Sequence, residues 1–308
     1  MLRKPPQLRE FEGFAACKTK GELIVKRWRN YESRLNATLN LIQKAISQYG
    51  VEEFPWTIVC TGDRDDFHFI KRKSIDLIED DEGNCFPSLF FCTTSDYFEN
   101  LCPDFSFHNW PETGVNSYAN LKAKLSQFDI PNANNNLIIW RGANTHPTRS
   151  RLCELDDKVR FDFEMINWDR SNPSNLTATN FISIEDQVIK HRFLIDVQGG
   201  GWSARLKYFI GGPRLVFVQH RVPKDFLFAD LVPWKHYVPV REDFADLVIN
   251  YNSILENPDL EESIIANARC FSAQVLSPQN AIWLWAERLN RIARDSVCSG
   301  KPFRRLPR

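Results

Sequence analysis

The stretch that decides the reading is Phe193-Leu194-Ile195-Asp196-Val197-Gln198-Gly199-Gly200-Gly201-Trp202-Ser203-Ala204-Arg205, closed ten residues later by Leu215-Val216-Phe217-Val218. Both apolar runs are short, rich in β-branched and aromatic residues and bounded by turn formers, the pattern of a buried strand. Three consecutive glycines predict a tight loop whose backbone N–H groups can approach a ligand closely. Residues 202–210 read as a short helix, with Gly211-Gly212 as C-cap and Pro213 as breaker. Strand, glycine loop, helix, strand is a βαβ unit, with a right-handed crossover and a parallel sheet. A glycine loop before the positive end of a helix suits an anion, usually phosphate. Ser203 adds a hydroxyl donor and Arg205 a charge; a loop that merely turns the chain is the alternative left open. The loop is not Gly-x-Gly-x-x-Gly and no Gly-Lys-Ser/Thr follows, so neither a dinucleotide fingerprint nor a P-loop is present.

Upstream, Leu137-Ile138-Ile139-Trp140 reads as a strand that stops at Arg141-Gly142, the usual place for a ligand residue in an open α/β sheet. Ile24, Trp28, Tyr31, Leu35, Leu39, Ile42 and Ile46 recur at three- and four-residue steps and predict one helix over 21–49. Trp56-Thr57-Ile58-Val59-Cys60 predicts a strand ending at Thr61-Gly62-Asp63, and Leu89-Phe90-Phe91-Cys92 predicts another. Residues 79–84 read as a solvated acidic loop, and the turn-rich residues 131–136 as a domain boundary. Downstream, Asn257 before Pro258 reads as an N-cap with proline at the first helical position, and Ser277-Pro278 repeats the signature. Ile282, Trp285, Leu289 and Ile292 fall on one face of a late helix, expected to dock across the first domain.

The chain has 308 residues, so length suggests about two domains. Lys plus Arg and Asp plus Glu are both 39, a formal net charge of zero that argues against a general nucleic-acid binder. Hydrophobic residues at 43% and charged residues at 25% are those of a globular protein. Met1 to Pro6 is charged and carries two prolines, no apolar segment follows it, and no apolar run is long enough to span a bilayer. We therefore expect no secretory signal, a cytoplasmic location and reduced thiols at the eight irregularly spaced cysteines. The basic tail, 301–308, allows at most a weak contact with an anionic membrane or partner.

Asp63 ends a strand, with Asp65 and Asp66 close behind, and a carboxylate there suits a general base. Asp63-Arg64-Asp65 is also literally Asp-x-Asp, a pattern that holds a divalent metal in one class of sugar transferases. A solvated acidic turn is the third reading. The six histidines show no ligand spacing.

Residues 201–208, Gly-Trp-Ser-Ala-Arg-Leu-Lys-Tyr, followed by Leu231-Val232-Pro233-Trp234-Lys235-His236-Tyr237-Val238-Pro239-Val240, resemble the end of the Rumi-like protein O-glucosyltransferases. That family, glycosyltransferase family 90, also includes capsule-associated xylosyltransferases and lipopolysaccharide-modifying relatives. Three further stretches agree in order: residues 56–63, Pro103-Asp104-Phe105-Ser106-Phe107 with Trp110-Pro111, and Trp140-Arg141-Gly142 with Thr145, Pro147 and Arg149.

The resemblance implies a GT-B-like α/β enzyme. Two Rossmann-like domains would face a cleft, with the C-terminal helix packing back on the first domain. Residues 1–133 would form the acceptor-side domain and 134–276 the donor domain, with 277–308 as the returning helix and basic tail. It implies an inverting, metal-independent transferase that moves glucose or xylose from a UDP-sugar, as co-substrate, to a hydroxyl of a glycan, lipid-linked or protein acceptor. Asp63 would be the base; Asp65 competes for that role, because the family commonly has Asp-x-Pro here. Arg141, Gly142, Gly199, Gly200, Gly201, Trp202, Ser203 and Arg205 would bind the donor, and Phe105, Phe107 and Trp110 would face the acceptor or sugar. Ala143, Asn144 and His146 replace the usual Ser, Arg and Ser. The alternatives are a non-catalytic nucleotide- or carbohydrate-binding module of the same fold, a metal-dependent Asp-x-Asp transferase, and a Rossmann-type oxidoreductase, which the missing fingerprint opposes.

Overall fold

The computed structural model describes residues 4–8, 11–28, 31–62, 69–71, 76–94, 98–127, 133, 135–155, 157–169 and 177–298. It divides into two compact units. The first comprises 1–109, 224–226 and 278–308; the second comprises 110–223 and 227–277.

The first unit opens with a hairpin, β1 (Gly13–Thr19) and β2 (Glu22–Arg27). Lys20 and Gly21 turn it with φ of 51° and 80°, the two left-handed residues that the favoured two-residue hairpin turn requires. The single helix expected over 21–49 is therefore corrected: α1 (Glu32–Tyr49) begins only at Glu32. Ile24 and Trp28 sit at helical spacing, but Leu23-Ile24-Val25 prefers the strand that the turn sets up. β3 (Phe54–Cys60), β4 (Phe69–Lys71), β5 (Asp76–Glu79) and β6 (Cys85–Leu89) complete a sheet of order β2-β1-β3-β6-β5-β4.

Only β3 and β6 pair in parallel there; the other neighbours are antiparallel. This sheet is thus mixed, departing from the Rossmann-like expectation, because short turns can join only antiparallel strands. The strand expected at 89–92 lies earlier, as β6, and Phe90 makes only an isolated bridge with Leu101. The 79–84 turn is held from within: Asp80 is buried and accepts from the backbone N–H groups of Gln7, Glu82 and Asn84.

The second unit contains α2 (Tyr118–Gln127), β7 (Asn135–Gly142), α3 (Pro147–Cys153), β8 (Phe161–Met165), the small ribbon β9 (Asn167–Asp169) and β10 (Thr177–Thr179), and α4 (Ile184–Lys190). β11 (His191–Asp196), α5 (Leu206–Phe209), β12 (Leu215–Gln219), β13 (Val238–Val240), α6 (Leu247–Glu256) and α7 (Pro258–Val275) follow. Its main sheet has the order β13-β12-β11-β7-β8 and every neighbouring pair is parallel. Ile138, Trp140, Phe193, Ile195, Leu215 and Phe217 are fully buried in one core, as continuous apolar strands of a covered parallel sheet should be. The βαβ reading of 193–218 holds in its strands and their direction. Asn257 holds the N-cap position of α7 ahead of Pro258, as expected, but makes no side-chain capping bond; its amide donates to the Ser253 carbonyl at the end of α6.

The last helix, α8 (Pro278–Cys298), belongs to the first unit and packs on α1 and β3. Trp285, Leu289 and Ile292 are buried, and Trp285 Nε1 donates to the Pro103 carbonyl at 3.0 Å. No helix among the described residues is long and apolar enough to cross a membrane.

Candidate ligand crevice in the parallel sheet

In the second unit the chain runs from β7 to β8 on one side, then returns to place β11 on β7's other side. Strand order reverses between β7 and β11, and a crevice opens outside the carboxyl ends of strands at such a switch point. The loops leaving those two strands begin at Ala143 and Val197. Both loops that the sequence singled out therefore start at the same edge of one sheet.

The positive potential there comes from side chains and not from a helix end. The helix expected over 202–210 is the single turn α5, which starts at Leu206, so no long helix points at the glycines. Instead the buried Trp140 ring lies beneath two guanidinium groups, Arg149 Cζ at 5.5 Å and Arg205 Cζ at 5.4 Å from its centroid. Gly142 is required beside that ring, because a Cβ there would stand 2.5 Å from Trp140 Cζ2. Gly199 is closely packed but less so: its Cβ would meet Arg149 Nη2 and the Trp202 carbonyl oxygen at 3.1 Å each. Arg149 in turn donates from Nε to the Gln198 carbonyl at 2.7 Å and from Nη1 to the Ala143 carbonyl at 2.8 Å, tying the two loops together.

Asp196, fully buried at the end of β11, is the hub of the site. Its Oδ1 accepts from the Ser203 hydroxyl at 2.5 Å, and its Oδ2 accepts from Arg221 Nη2 at 2.6 Å. Arg221 is 3% exposed and also donates to the backbone carbonyls of Asp196 and Gln219. Arg205 is 7% exposed and donates from Nη1 to the Arg141 carbonyl; its Nη2 is buried without a partner, as is Nη1 of Arg221. Burial pushes the Arg205 pKa below its ordinary value, Asp196 opposes that shift and Arg221 reinforces it. Asp196 thus pairs with Arg221 and acts on Arg205 through its charge, while one nitrogen of each guanidinium stays without a hydrogen-bond partner. Buried charge of that kind is costly unless something pairs with it.

Of the sequence-derived donor residues, Gly142 ends β7, and Gly199, Gly200, Gly201, Trp202, Ser203 and Arg205 lie on the loop after β11, with Gly199, Gly201, Trp202, Ser203 and Arg205 buried. Arg141 is turned elsewhere: its guanidinium donates to the carbonyl and to Oδ1 of Asp162 on β8, both at 2.7 Å. Among the aromatic residues, Phe105 and Phe107 pack the core of the first unit, 2% and 4% exposed, against Phe91 and Phe226. Trp110, in the second unit, is half-buried and pairs through its backbone with Val115. Asp63, Asp65 and Asp66 lie outside the described residues.

Sequence reasoning missed Asp196 and Arg221. A lone aspartate inside the apolar run 193–197 was the available signal for the first; nothing local marks the second. It also missed an open cavity of about 520 Å³ beside the ends of β12 and β13, lined by Arg151, His220, Val240, Arg241, Glu242 and Asp243. Gln219 connects this region to the glycine loop, accepting from the Gln198 N–H and donating to the Glu242 carbonyl. Among the described residues no group of three or more His, Cys, Asp or Glu side chains is placed to hold a metal ion, and Cys17, Cys60, Cys85, Cys92, Cys102, Cys153 and Cys270 are free thiols.

A five-stranded parallel sheet whose order reverses between β7 and β11, with arginines beyond its strand ends, defines an α/β protein of the open-sheet kind. The chain belongs to glycosyl transferase family 90, whose model matches residues 58–294. It is 25% identical over 224 residues to protein O-glucosyltransferase 1 of Rattus norvegicus, a match covering 68% of this chain and 57% of that protein. It is 25% identical over 148 residues to O-glucosyltransferase LpsA of Dichelobacter nodosus, covering 47% and 46%. A third relative, uncharacterized protein 035R of Invertebrate iridescent virus 3, is 29% identical over 224 residues, covering 67% of this chain and 19% of that one. The chain therefore spans little more than half the length of the rat relative it matches.

Proposed function

We propose that the protein is an inverting glycosyltransferase that moves a sugar, glucose or xylose, from a UDP-sugar to a hydroxyl of a glycan, lipid-linked or protein acceptor. The observation that carries this reading is the pair of buried, incompletely hydrogen-bonded guanidinium groups of Arg205 and Arg221 near Asp196, in the sheet that holds β7 and β11. A diphosphate supplies acceptors for those two nitrogens.

As the anomeric carbon–oxygen bond breaks, charge accumulates on the departing diphosphate, and donors already in place stabilise it without reorganising. One such donor is worth about 3–4 kcal/mol in the transition state. Arg205 serves this role directly. Ser203 gives its one hydroxyl proton to Asp196 and so holds the loop in shape, leaving the donation to the diphosphate to Arg205. Asp63, or Asp65 beside it, takes the proton of the attacking hydroxyl, for a contribution of roughly 10²–10⁴-fold. With arginines covering the diphosphate, the reaction proceeds without a divalent metal. The GT-B-like assignment, with an acceptor-side domain at 1–133, a donor domain at 134–276 and a returning segment at 277–308, belongs to this proposal.

The test is UDP binding by calorimetry together with transfer of labelled glucose and xylose from their UDP-sugars. Arg205→Ala is expected to weaken UDP binding, and Asp63→Asn to abolish transfer with UDP binding nearly intact. EDTA should leave the rate unchanged. Wild-type turnover in Asp63→Asn would remove the base assignment, and activity lost to EDTA and restored by manganese would favour the Asp-x-Asp reading.

A further inference from the structure

His146 occupies one of the positions where this chain departs from its family's pattern, and the structure places it between the two crevice loops. As N-cap of α3, its Nδ1 accepts from the Thr148 N–H at 3.3 Å. The Thr148 hydroxyl stands 3.0 Å from the same nitrogen, and Arg151 Nη2 donates to that hydroxyl at 3.1 Å. On the other side, His146 Nε2 stands 3.3 Å from the carboxamide nitrogen, Nε2, of Gln198, the residue before the three glycines.

These contacts have a direction. Arginine can only donate, so the Thr148 oxygen accepts from Arg151 and is free to pass its own proton to Nδ1. The Thr148 backbone N–H also points at Nδ1, and a proton on that nitrogen would set donor against donor and undo the cap. A neutral imidazole carries one proton, so here it sits on Nε2. Burial lowers the His146 pKa from its ordinary value, Arg149 and then Arg151 lower it further, and Glu242 opposes them, which keeps the ring neutral near pH 7. An Nε2–H facing Gln198 must donate, so the carboxamide must offer it oxygen. Amide oxygen and nitrogen exchange places by a half-turn about the last side-chain torsion, and the hydrogen-bond network decides between them.

We infer that His146 is a positioning residue: its Nε2–H holds the Gln198 carboxamide by the oxygen, leaving the NH₂ as a neutral donor to the oxygens of the bound sugar nucleotide. Gln198 is suited to that task. Its backbone is clamped on both sides, N–H to Gln219 Oε1 at 3.1 Å and carbonyl to Arg149 Nε, while the residue as a whole stays only half-buried. The inference rests on the donor reading for its ligand; the tautomer and the amide orientation do not.

The experiment has two arms. Long-range ¹⁵N–¹H NMR of the histidine-labelled protein reads the tautomer directly: Nε2–H is expected at His146, and an Nδ1–H ring overturns the inference whatever the protein binds. The second arm is a double-mutant cycle on UDP and UDP-glucose binding, with melting temperature measured alongside. His146→Asn keeps a good helix cap but loses the reach to Gln198. Gln198→Met removes the amide at similar volume. Each is expected to weaken binding about two- to tenfold, the range of one neutral hydrogen bond. The double variant should then be no weaker than Gln198→Met alone, because both changes break one interaction. Additive losses, or binding unchanged in Gln198→Met, overturn the inference. Failure of the wild type to bind any UDP compound, with the Nε2–H tautomer present, would instead remove the donor reading.

Discussion

Gly211 ends α5 with φ of +89°, and a Cβ there would lie 2.1 Å from Cβ of Ser272 on α7. Two independent penalties meet at this one residue. The left-handed backbone costs a non-glycine residue roughly 1–2 kcal/mol, and the collision adds to it because Ser272 is itself buried. Ser272 also accepts from the Lys122 ammonium, so it cannot retreat without breaking the link between α2 and α7. Gly211→Ala is expected to destabilise the protein by more than the backbone term alone, about 2 kcal/mol or more, read as a lower urea midpoint at unchanged slope. A loss below about 0.5 kcal/mol, the level of an ordinary surface change, would show that the helix-to-strand corner is not held by this contact.

At the scale of elements, α8 shows how a helix of the first unit is anchored. Trp285 is fully buried and makes its hydrogen bond to Pro103, which leads into the 3-10 turn Phe105–Phe107. Arg291 adds a bond to Asn100 Oδ1 at 3.1 Å, and Asn290 accepts from the Glu52 N–H just before β3. Trp285→Ala removes a large side chain from a site that cannot fully collapse and leaves the Pro103 carbonyl without this donor. The expected cost is about 3–5 kcal/mol, measurable by chemical denaturation. Trp285→Phe, which keeps most of the volume, should recover the larger share of it. Equal losses in the two variants would mean that the hydrogen bond, and not packing, dominates.

For the whole molecule the histidines give a pH dependence with a definite sign. The pKa values of His108, His146, His191 and His236 are all lowered, in each case first by burial. As pH falls, the unfolded chain takes up these protons before the folded one does. Stability is therefore fully present above the ordinary histidine value near 6.5 and is lost as pH falls from there through the depressed folded values. The melting temperature should be lower at pH 5.5 than at pH 7.5. A flat profile over that window would mean that the four rings are open to protons in the folded state.

The sequence by itself determined the βαβ unit from β11 to β12, because each strand is one contiguous apolar run and the glycines punctuate it locally. It also determined the docking face of α8, where helical spacing is a property of neighbouring residues. It misread residues 21–28, where a β-branched strand happens to carry apolar residues at helical steps, and it overlooked Phe161-Asp162-Phe163-Glu164-Met165, whose alternation does mark a strand. Only the tertiary structure decided which charges meet. Asp196 takes Arg221 from 25 residues away, Arg141 takes Asp162 from 21, and His146 reaches Gln198 from 52. Electrostatic pairing depends on distance in space, which chain neighbours do not encode, so the residues that shape the crevice became visible only once the sheet had brought the ends of its strands together.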